Sequence, residues 1–306
     1  MVPLILCVDI GGTSTKIGLV SDLGETHSVR SIATLPDVET YFRHLTQLIE
    51  SSLEPSITNM GVAVAGFLDE ARTRLVYNSN LSWLEDFPLK ERLAAQFPQL
   101  TIKLEVDSNA ATLAEYHLGS GRGSHRFLCL TVGTGLGVGF AVDGEPVRFS
   151  YGCLGDMGHI ILAPDGPICT CGGRGCAEAL LSSNTLAAEF SALKASGGEN
   201  GSLRDVILAA QSGDAQASAI LQRAGRWLGL AVSSMANIFF PDHIAVAGGL
   251  SAAGDLVLGP AERVFRESAC VLARSQANFT RATLGSMATL IGAAWPFWRD
   301  RSGKEA

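Results

Sequence analysis

One short pattern occurs twice in this chain. Near the start, the apolar run 4–10 (LILCVDI) meets Gly11-Gly12-Thr13-Ser14 and continues into 15–20 (TKIGLV). Residues 127–142 (FLCLTVGTGLGVGFAV) repeat the same order. Asp9-Ile-Gly-Gly-Thr-Ser and Thr131-Val-Gly-Thr-Gly-Leu occupy equivalent places, and alternating apolar residues follow both. Period-two alternation is the mark of a strand. A unit present twice implies two duplicated α/β halves, whereas a solenoid needs at least three copies. The length of 306 residues suits two domains, since a domain takes ~100–200 residues.

The rest of the chain alternates in the same manner. A third strand is expected at 27–34. A helix follows Asp37 to about residue 53, with Val38, Tyr41, Phe42, Leu45, Leu48 and Ile49 at helical spacing. Residues 59–67 (NMGVAVAGF) read as a buried strand, 85–96 as a helix, and Thr101–Val106 as a strand. A further helix runs from Ser108 to near Gly119. Residues 119–124 (GSGRGS) make the best boundary between halves. Residues 214–240 form one long helix ended by Pro241. His243–Ala247 is a short strand leading to Gly248-Gly249. A helix, a strand at 280–284 and a last helix at 286–299 close the chain.

Composition narrows the function classes. Apolar residues make up 47% and charged residues 17%, enough for a large core and too little charge for disorder. The formal net charge of −7, with no Lys or Arg run, argues against nucleic-acid and anionic-membrane partners. The apolar start runs into Asp9 without a basic leader or cleavage site. The longest uncharged helical stretch, 227–241, is too short to span a bilayer. A cytoplasmic protein is expected. Of seven cysteines, Cys169, Cys171 and Cys176 cluster, which in a reducing compartment suggests metal before disulfide. Cys7, Cys129, Cys153 and Cys270 sit among apolar or small residues and are expected in the core. His27, His44, His117, His125 and His243 are scattered and are expected on the surface or in loops.

Glycine turns of this kind suit phosphate. In the stretch from Asp9 to Lys16, Gly11 and Gly12 allow close backbone approach, and the turn amides and the Thr13 hydroxyl can donate to phosphate oxygens. Asp9 would face the same phosphates, which requires a cation such as Mg²⁺ between them. Thr134 and Gly135 belong to the matching turn of the second half, and Gly248-Gly249 ends a third buried strand at a helix start. Each alone is also an ordinary turn. Together they would supply a donor loop from each half.

Two further segments carry chemistry. His159 is followed by Cys169, Cys171 and Cys176, the donor set of a closed tetrahedral zinc site, with glycines that permit a tight knuckle. Asp107 stands where a strand meets a helix. It reads either as an N-cap or as a general base.

The three glycine turns, in this order and spacing, resemble the phosphate-1, phosphate-2 and adenosine motifs of the hexokinase, actin and Hsp70 superfamily. The pattern from Gly158-His159 through Cys169-Thr-Cys171-Gly-Gly-Arg-Gly-Cys176-Ala-Glu178, with Asp107-Ser-Asn109-Ala-Ala ahead of it, is similar to the ROK family of sugar kinases and sugar-responsive repressors. The likeness covers essentially the whole chain. It implies a two-domain actin-like ATPase (ribonuclease H-like) α/β fold with a central cleft, residues 1–118 plus 290–306 forming one domain and 119–289 the other. It implies ATP and Mg²⁺, a structural Zn²⁺, a small sugar as substrate, and a homo-oligomer, dimer or tetramer. Asp107 becomes the general base. Gly66, Asn80, Asn109, Asp156, His159 and Glu178 become sugar-binding residues, with Trp83 as packing. His159 is expected to ligate zinc by one ring nitrogen and face the sugar with the other. Asp9, Gly11, Gly12, Thr13, Lys16, Thr134, Gly135, Gly248 and Gly249 fall at the nucleotide.

Two positions depart from the family pattern. Val106 replaces the usual Asn before the catalytic Asp, and Asp156 replaces the usual Glu before the zinc His. Both bear on the substrate. A hexose or hexosamine is expected, with N-acetylmannosamine, fructose, polyphosphate as donor, or a sugar-binding regulator without catalysis as alternatives. The repressors of the family carry an N-terminal helix-turn-helix. This acidic chain opens directly on the phosphate-1 strand, so a kinase is expected.

Overall fold

A computed structural model describes residues 4–78, 80–194 and 201–301. Residues 1–3 and 302–306, assigned above to the first domain, and Ser79 beside Asn80 lie outside the described residues. In chain order the elements are β1 (Ile5–Ile10), β2 (Ser14–Val20), β3 (Thr26–Ala33), α1 (Val38–Glu50), β4 (Asn59–Val64), β5 (Phe67–Leu68), β6 (Leu75–Tyr77), α2 (Leu89–Gln96), β7 (Thr101–Val106) and α3 (Asp107–Leu118). They continue with β8 (Arg126–Val132), β9 (Leu136–Val142), β10 (Glu145–Pro146), α4 (Ala177–Leu181), α5 (Ser183–Leu193), α6 (Leu203–Gln211) and α7 (Ala215–Phe239). Then follow β11 (His243–Ala247), α8 (Asp255–Ser268), α9 (Val271–Gln276), β12 (Asn278–Arg281), α10 (Ala288–Gly292) and α11 (Trp295–Arg301). Among the described residues, no helix is long and apolar enough to cross a membrane.

The chain divides into two compact units. The first holds Met1–Leu118, Gly144–Gly155 and Met287–Ala306; the second holds Gly119–Asp143 and Asp156–Ser286. The sequence reading placed 144–155 in the second domain and began the return to the first at 290. The segment 144–155 goes to the first unit because it completes buried polar groups there. Arg148 Nη2 reaches Glu105 Oε2 at 2.5 Å, Asn109 Nδ2 donates to Gly152 O at 2.7 Å, and Leu68 N donates to Tyr151 O at 3.1 Å.

In the first unit the sheet order is β3-β2-β1-β4-β7. The β1–β2 and β2–β3 pairs are antiparallel, and the β1–β4 and β4–β7 pairs are parallel. β1 is central and buried along its whole length, Asp9 included, as a strand apolar at all its other positions requires. α1 starts where the Asp37 carboxylate accepts the Thr40 amide at 2.8 Å, and it buries Tyr41, Phe42, Leu45 and Ile49. The returning α10 packs backbone to backbone: a Cβ on Gly61 would lie 1.9 Å from Ala293 O, and one on Gly292 would lie 1.8 Å from Ala110 O.

The second unit repeats the arrangement in β9-β8-β11-β12, an antiparallel hairpin beside parallel strands. α7 begins at Asp214, whose carboxylate accepts the Gln216 and Ala217 amides at 2.9 and 3.0 Å. It stops at Phe240, which takes a left-handed conformation before Pro241. Gly225 and Gly229, one turn apart, let α8 approach. A Cβ there would stand 2.4 Å from Val257 O and 2.5 Å from Ala261 O.

Four boundaries differ from the sequence reading, each at a local backbone feature. The strand expected over 59–67 stops at Val64, because Gly66 turns with φ +107° and β5 pairs with β6 instead. The helix expected from 85 begins at Leu89, after Asp86 at φ +58° and after Pro88. The strand expected at 280–284 is Asn278–Arg281, held in register with β11. The last helix is split between Gly292 and Trp295, with Pro296 opening its second piece.

Candidate active site and metal centre

In the first unit, the turn between β1 and β2 is closed by the Gly11 amide on Ser14 O at 3.1 Å. Asp9 and Lys16 are cross-strand partners, and Lys16 Nζ donates to Asp9 Oδ2 at 3.3 Å. Burial raises the pKa of Asp9 and the Lys16 charge opposes that rise. A hydroxyl chain unseen in the sequence braces the turn. Tyr41 Oη lies 2.7 Å from Thr15 Oγ1, Thr15 Oγ1 lies 3.0 Å from Thr34 Oγ1, and Thr34 donates to Gly11 O at 2.8 Å. Thr13 is exposed at the tip. Asn80 rests on this turn, where a Cβ on Gly12 would stand 2.9 Å from its own Cβ. Gly66 faces the same loop at Tyr77 and Asn78. Expected nucleotide and sugar residues therefore meet in one place. Trp83 packs edge-on to Tyr41 with centroids 5.1 Å apart, as expected of a packing aromatic.

β7 delivers Asp107 to the first position of α3. Its Oδ1 accepts the amide of the next residue, Ser108, at 2.7 Å. An N-cap instead bonds the amide two or three residues on. Burial, and then the negative charge of Asp9, push Asp107 up to about 7. A carboxyl poised there can take a proton at neutral pH.

Two neighbours of Asp107 differ from expectation. Asn109 was expected at the sugar, but it is fully buried, and its Nδ2 donates to Glu105 Oε1 at 2.9 Å and to Gly152 O at 2.7 Å. It positions the segment. Val106 was read as a departure that bears on the substrate, but it is buried in the apolar cluster with Leu104, Leu68 and Cys153. The sequence reading missed Glu105, whose buried carboxylate accepts from Arg72 Nη1 at 3.1 Å and Arg148 Nη2 at 2.5 Å. His117 was expected on the surface. It stacks on Trp295 at 3.6 Å between centroids.

In the second unit the matching turn is closed in the same way, Gly133 N on Gly135 O at 2.9 Å. Glu178 Oε2 accepts the Leu136 amide at 2.9 Å, and the Ser183 amide donates to Gly133 O at 2.8 Å. Thr134 is left exposed between these anchors. Gly248, at φ +83°, sits against the strand that leads into this turn, since a Cβ on it would lie 2.3 Å from Val132 O. Gly249 is exposed beside it.

His159, Cys169, Cys171 and Cys176 converge, with all four ligand atoms within 4.8 Å of one another. Cys169 Sγ and His159 Nδ1 are 3.4 Å apart, and Cys171 Sγ and Cys176 Sγ are 3.7 Å apart. Sulfurs at about 2.3 Å and a nitrogen at about 2.0–2.1 Å from a tetrahedral zinc stand about 3.5–3.8 Å from each other, so the cluster fits that ion. The knuckle is made by Cys169 N on Gly173 O at 2.8 Å and Gly172 N on Cys169 O at 3.0 Å. With Nδ1 toward the sulfurs, His159 Nε2 faces Asp156 Oδ2 at 3.5 Å and Glu178 Oε1 at 4.0 Å. Burial, and secondarily the charge of Glu178, raise the pKa of Asp156, while His159 opposes the rise. Cys7, Cys129 and Cys153 are buried as expected. Cys270 is exposed, because it precedes α9 at the surface end of its turn.

Comparison with known proteins bears on this arrangement. A model of the ROK family matches residues 5–300. The glucokinase of Streptomyces coelicolor is 31% identical over 95% of this chain and 96% of its own length. The glucokinase of Halalkalibacterium halodurans is 31% identical over 94% and 93%. Among solved structures, a ROK family glucokinase from Streptomyces griseus, in complex with glucose and AMPPNP, superimposes with a TM-score of 0.86 at 31% identity, covering 96% of this chain and 98% of that one.

Proposed function

The chain belongs to the ROK family and is a sugar kinase with the actin-like ATPase fold, and on that premise we propose that it moves the γ-phosphoryl group of ATP to a hexose hydroxyl, with Asp107 as general base. The observation that carries this reading is the Asp107 carboxyl, held at about 7 at the start of α3, in the same unit as a phosphate-type glycine turn.

The steps follow from that placement. Asp107 accepts the proton of the attacking hydroxyl as its oxygen forms a bond to the γ-phosphorus. The bond from that phosphorus to the β,γ-bridging oxygen breaks, and ADP leaves with the electron pair. The turns at Gly11-Gly12-Thr13 and Thr134-Gly135 offer amides and hydroxyls to phosphate oxygens, and Gly248-Gly249 leaves room for a flat base. Mg²⁺ bound with ATP would neutralise phosphate charge, and Asp9 would face it; a cation there also relieves the repulsion between Asp9 and Asp107. Zinc held by His159, Cys169, Cys171 and Cys176 would be structural, fixing the His159 ring so that its Nε2, with Asp156 and Glu178, meets sugar hydroxyls. Reduced thiols in that set suit the cytoplasm.

The experiment is an ADP-release assay with Mg-ATP and, in turn, glucose, mannose, fructose, N-acetylglucosamine and N-acetylmannosamine. Sugar-dependent ADP release, highest kcat/KM with an unmodified hexose, is the expected result. Because Val106 lies in the core, its side chain leaves glucose recognition to the other residues. Asp156 is the remaining departure, and its carboxylate turns toward His159. A preference for an N-acetylated sugar would assign the space beside Asp156 to that substituent, and no release with any sugar would overturn the kinase reading.

A further inference from the structure

A cavity of about 250 Å³ opens on the first unit, and neither the glycine-turn residues nor Asp107 lines it. Arg72, Lys90, Lys103 and Arg148 line it, against two carboxylates, Glu105 and Glu145, so the wall carries a formal +2 (four minus two). Glu105 forms its floor and is 1% exposed. Arg72 Nη1 and Arg148 Nη2 share this one carboxylate at 3.1 and 2.5 Å. Lys103 Nζ is set by Pro296 O at 3.0 Å and by the Phe297 ring at 4.9 Å.

Two more donors point to a ligand. Among the described residues, four buried side-chain polar atoms have no hydrogen-bond partner; Arg148 Nε and Trp295 Nε1 are two of them, and both residues line this cavity. Both can only donate. A buried donor without an acceptor costs about 1–3 kcal/mol. Cations gathered from several elements, beside two donors that lack acceptors, suit an acceptor-only ligand with multiple charges.

We propose that this cavity binds a small phosphate-bearing anion, at a site separate from the nucleotide and sugar residues. A guanidinium offers a planar fork to phosphate oxygens, and lysines add point charge. The cavity exceeds the ~30 Å³ that one water occupies in the liquid by several-fold, so a phosphate with a small organic group fits. A carboxylate ligand would bring half the charge and leave donors unmet.

Titration calorimetry on the intact protein tests this, with AMPPNP and glucose present in excess so that the proposed nucleotide and sugar residues are occupied. The probes are inorganic phosphate and glucose 6-phosphate, with tryptophan emission followed in parallel. Saturable millimolar or tighter binding of at least one probe is expected. Tighter binding of inorganic phosphate identifies the free ion as the ligand, and tighter binding of glucose 6-phosphate identifies a phosphate monoester. The double variant Lys90→Gln/Arg148→Lys keeps a cation on Glu105 and should bind ~10–100-fold more weakly, the loss of one or two charge-assisted hydrogen bonds. Trp295→Phe should weaken binding and abolish the emission change. Lys90→Gln alone should leave kcat with ATP and glucose unchanged when neither probe is added. No saturable binding of either probe, or equal binding by the double variant, overturns the site, and the sugar-kinase assay is unaffected either way.

Discussion

Asp107 titrates near 7 in the folded protein and near 3.8 as a free side chain. The folded state therefore holds this proton more tightly than the unfolded chain. Its contribution to stability is fully present below the lower value and is lost as pH rises through the upper one. Asp107→Asn should accordingly lower kcat by ~10²–10⁴-fold and, at alkaline pH, raise the unfolding free energy by about 1–3 kcal/mol. Denaturant melts and steady-state kinetics on the same variant check both; a folded variant with near-full turnover would remove Asp107 from the chemistry. In the unmodified protein, kcat/KM should fall as pH drops below about 7, since the base must be ionised. At this scale the sequence was informative where a residue type fits only one chemistry. The four metal-type ligands were legible for that reason, whereas Asp107 by itself also read as an N-cap. Glu105 and Val106 were not legible, although a signal existed. In Thr101–Val106 the period of two puts Lys103 and Glu105 on one face and Ile102, Leu104 and Val106 on the other. That pattern assigns Val106 to the core. It also suggests that Glu105 meets water, which fails because the distant segment 144–155 covers that face with Arg148. A covering segment is a tertiary fact that local pattern does not contain.

Elements with strong ends were read correctly. α1 and α7 carry carboxylate caps at Asp37 and Asp214, and β1 and β8 are largely apolar and buried. Errors fell on α2, β4, β12 and the last helix, and in all but β12 a positive-φ residue or a proline interrupts an apolar pattern that otherwise continues. The metal hoop has little apolar support: Ile161 and Ile168 are 65% and 72% exposed, and its turns rest on glycines. Its order must come mainly from the ligand cluster. Cys171→Ser should therefore reduce bound zinc from about one per chain to a small fraction, and should lower thermal stability, because the free energy of metal binding is also that of folding the hoop. Elemental analysis of protein purified without chelator, beside melting curves, is the check. Zinc-free wild-type protein would refute the assignment. The brace on the first glycine turn gives a separate expectation. Thr34→Val breaks the bond to Gly11 O and should raise KM for ATP several-fold, at a stability cost of about 1 kcal/mol. An unchanged KM would show that the turn holds its shape without it.

The duplicated hairpin was legible from sequence and is present as two like sheets, one in each unit. What could not be read is how often the backbone passes from one unit to the other. It does so after Leu118, Asp143, Gly155 and Ser286, so neither unit is a single stretch of sequence. The first unit is completed only by α10 and α11, whose backbone lies directly on Gly61 and Ala110 and whose Trp295 stacks on His117. Removing residues from 288 onward should leave the second unit's sheet with protected amides and deprive the first unit of cooperative unfolding, as hydrogen exchange would report; a truncated chain with both units protected would contradict this. The same closure bears on synthesis. A ribosome issues β1 before α10 and α11, and proteins commonly fold their leading domain while the remainder is still being made. Here the leading residues must wait for the trailing ones, while the second unit has its full complement as soon as Ser286 is free. During translation β1 and β4 would therefore stay uncovered longest, and these strands are the stretch where a chaperone is expected to hold the nascent chain.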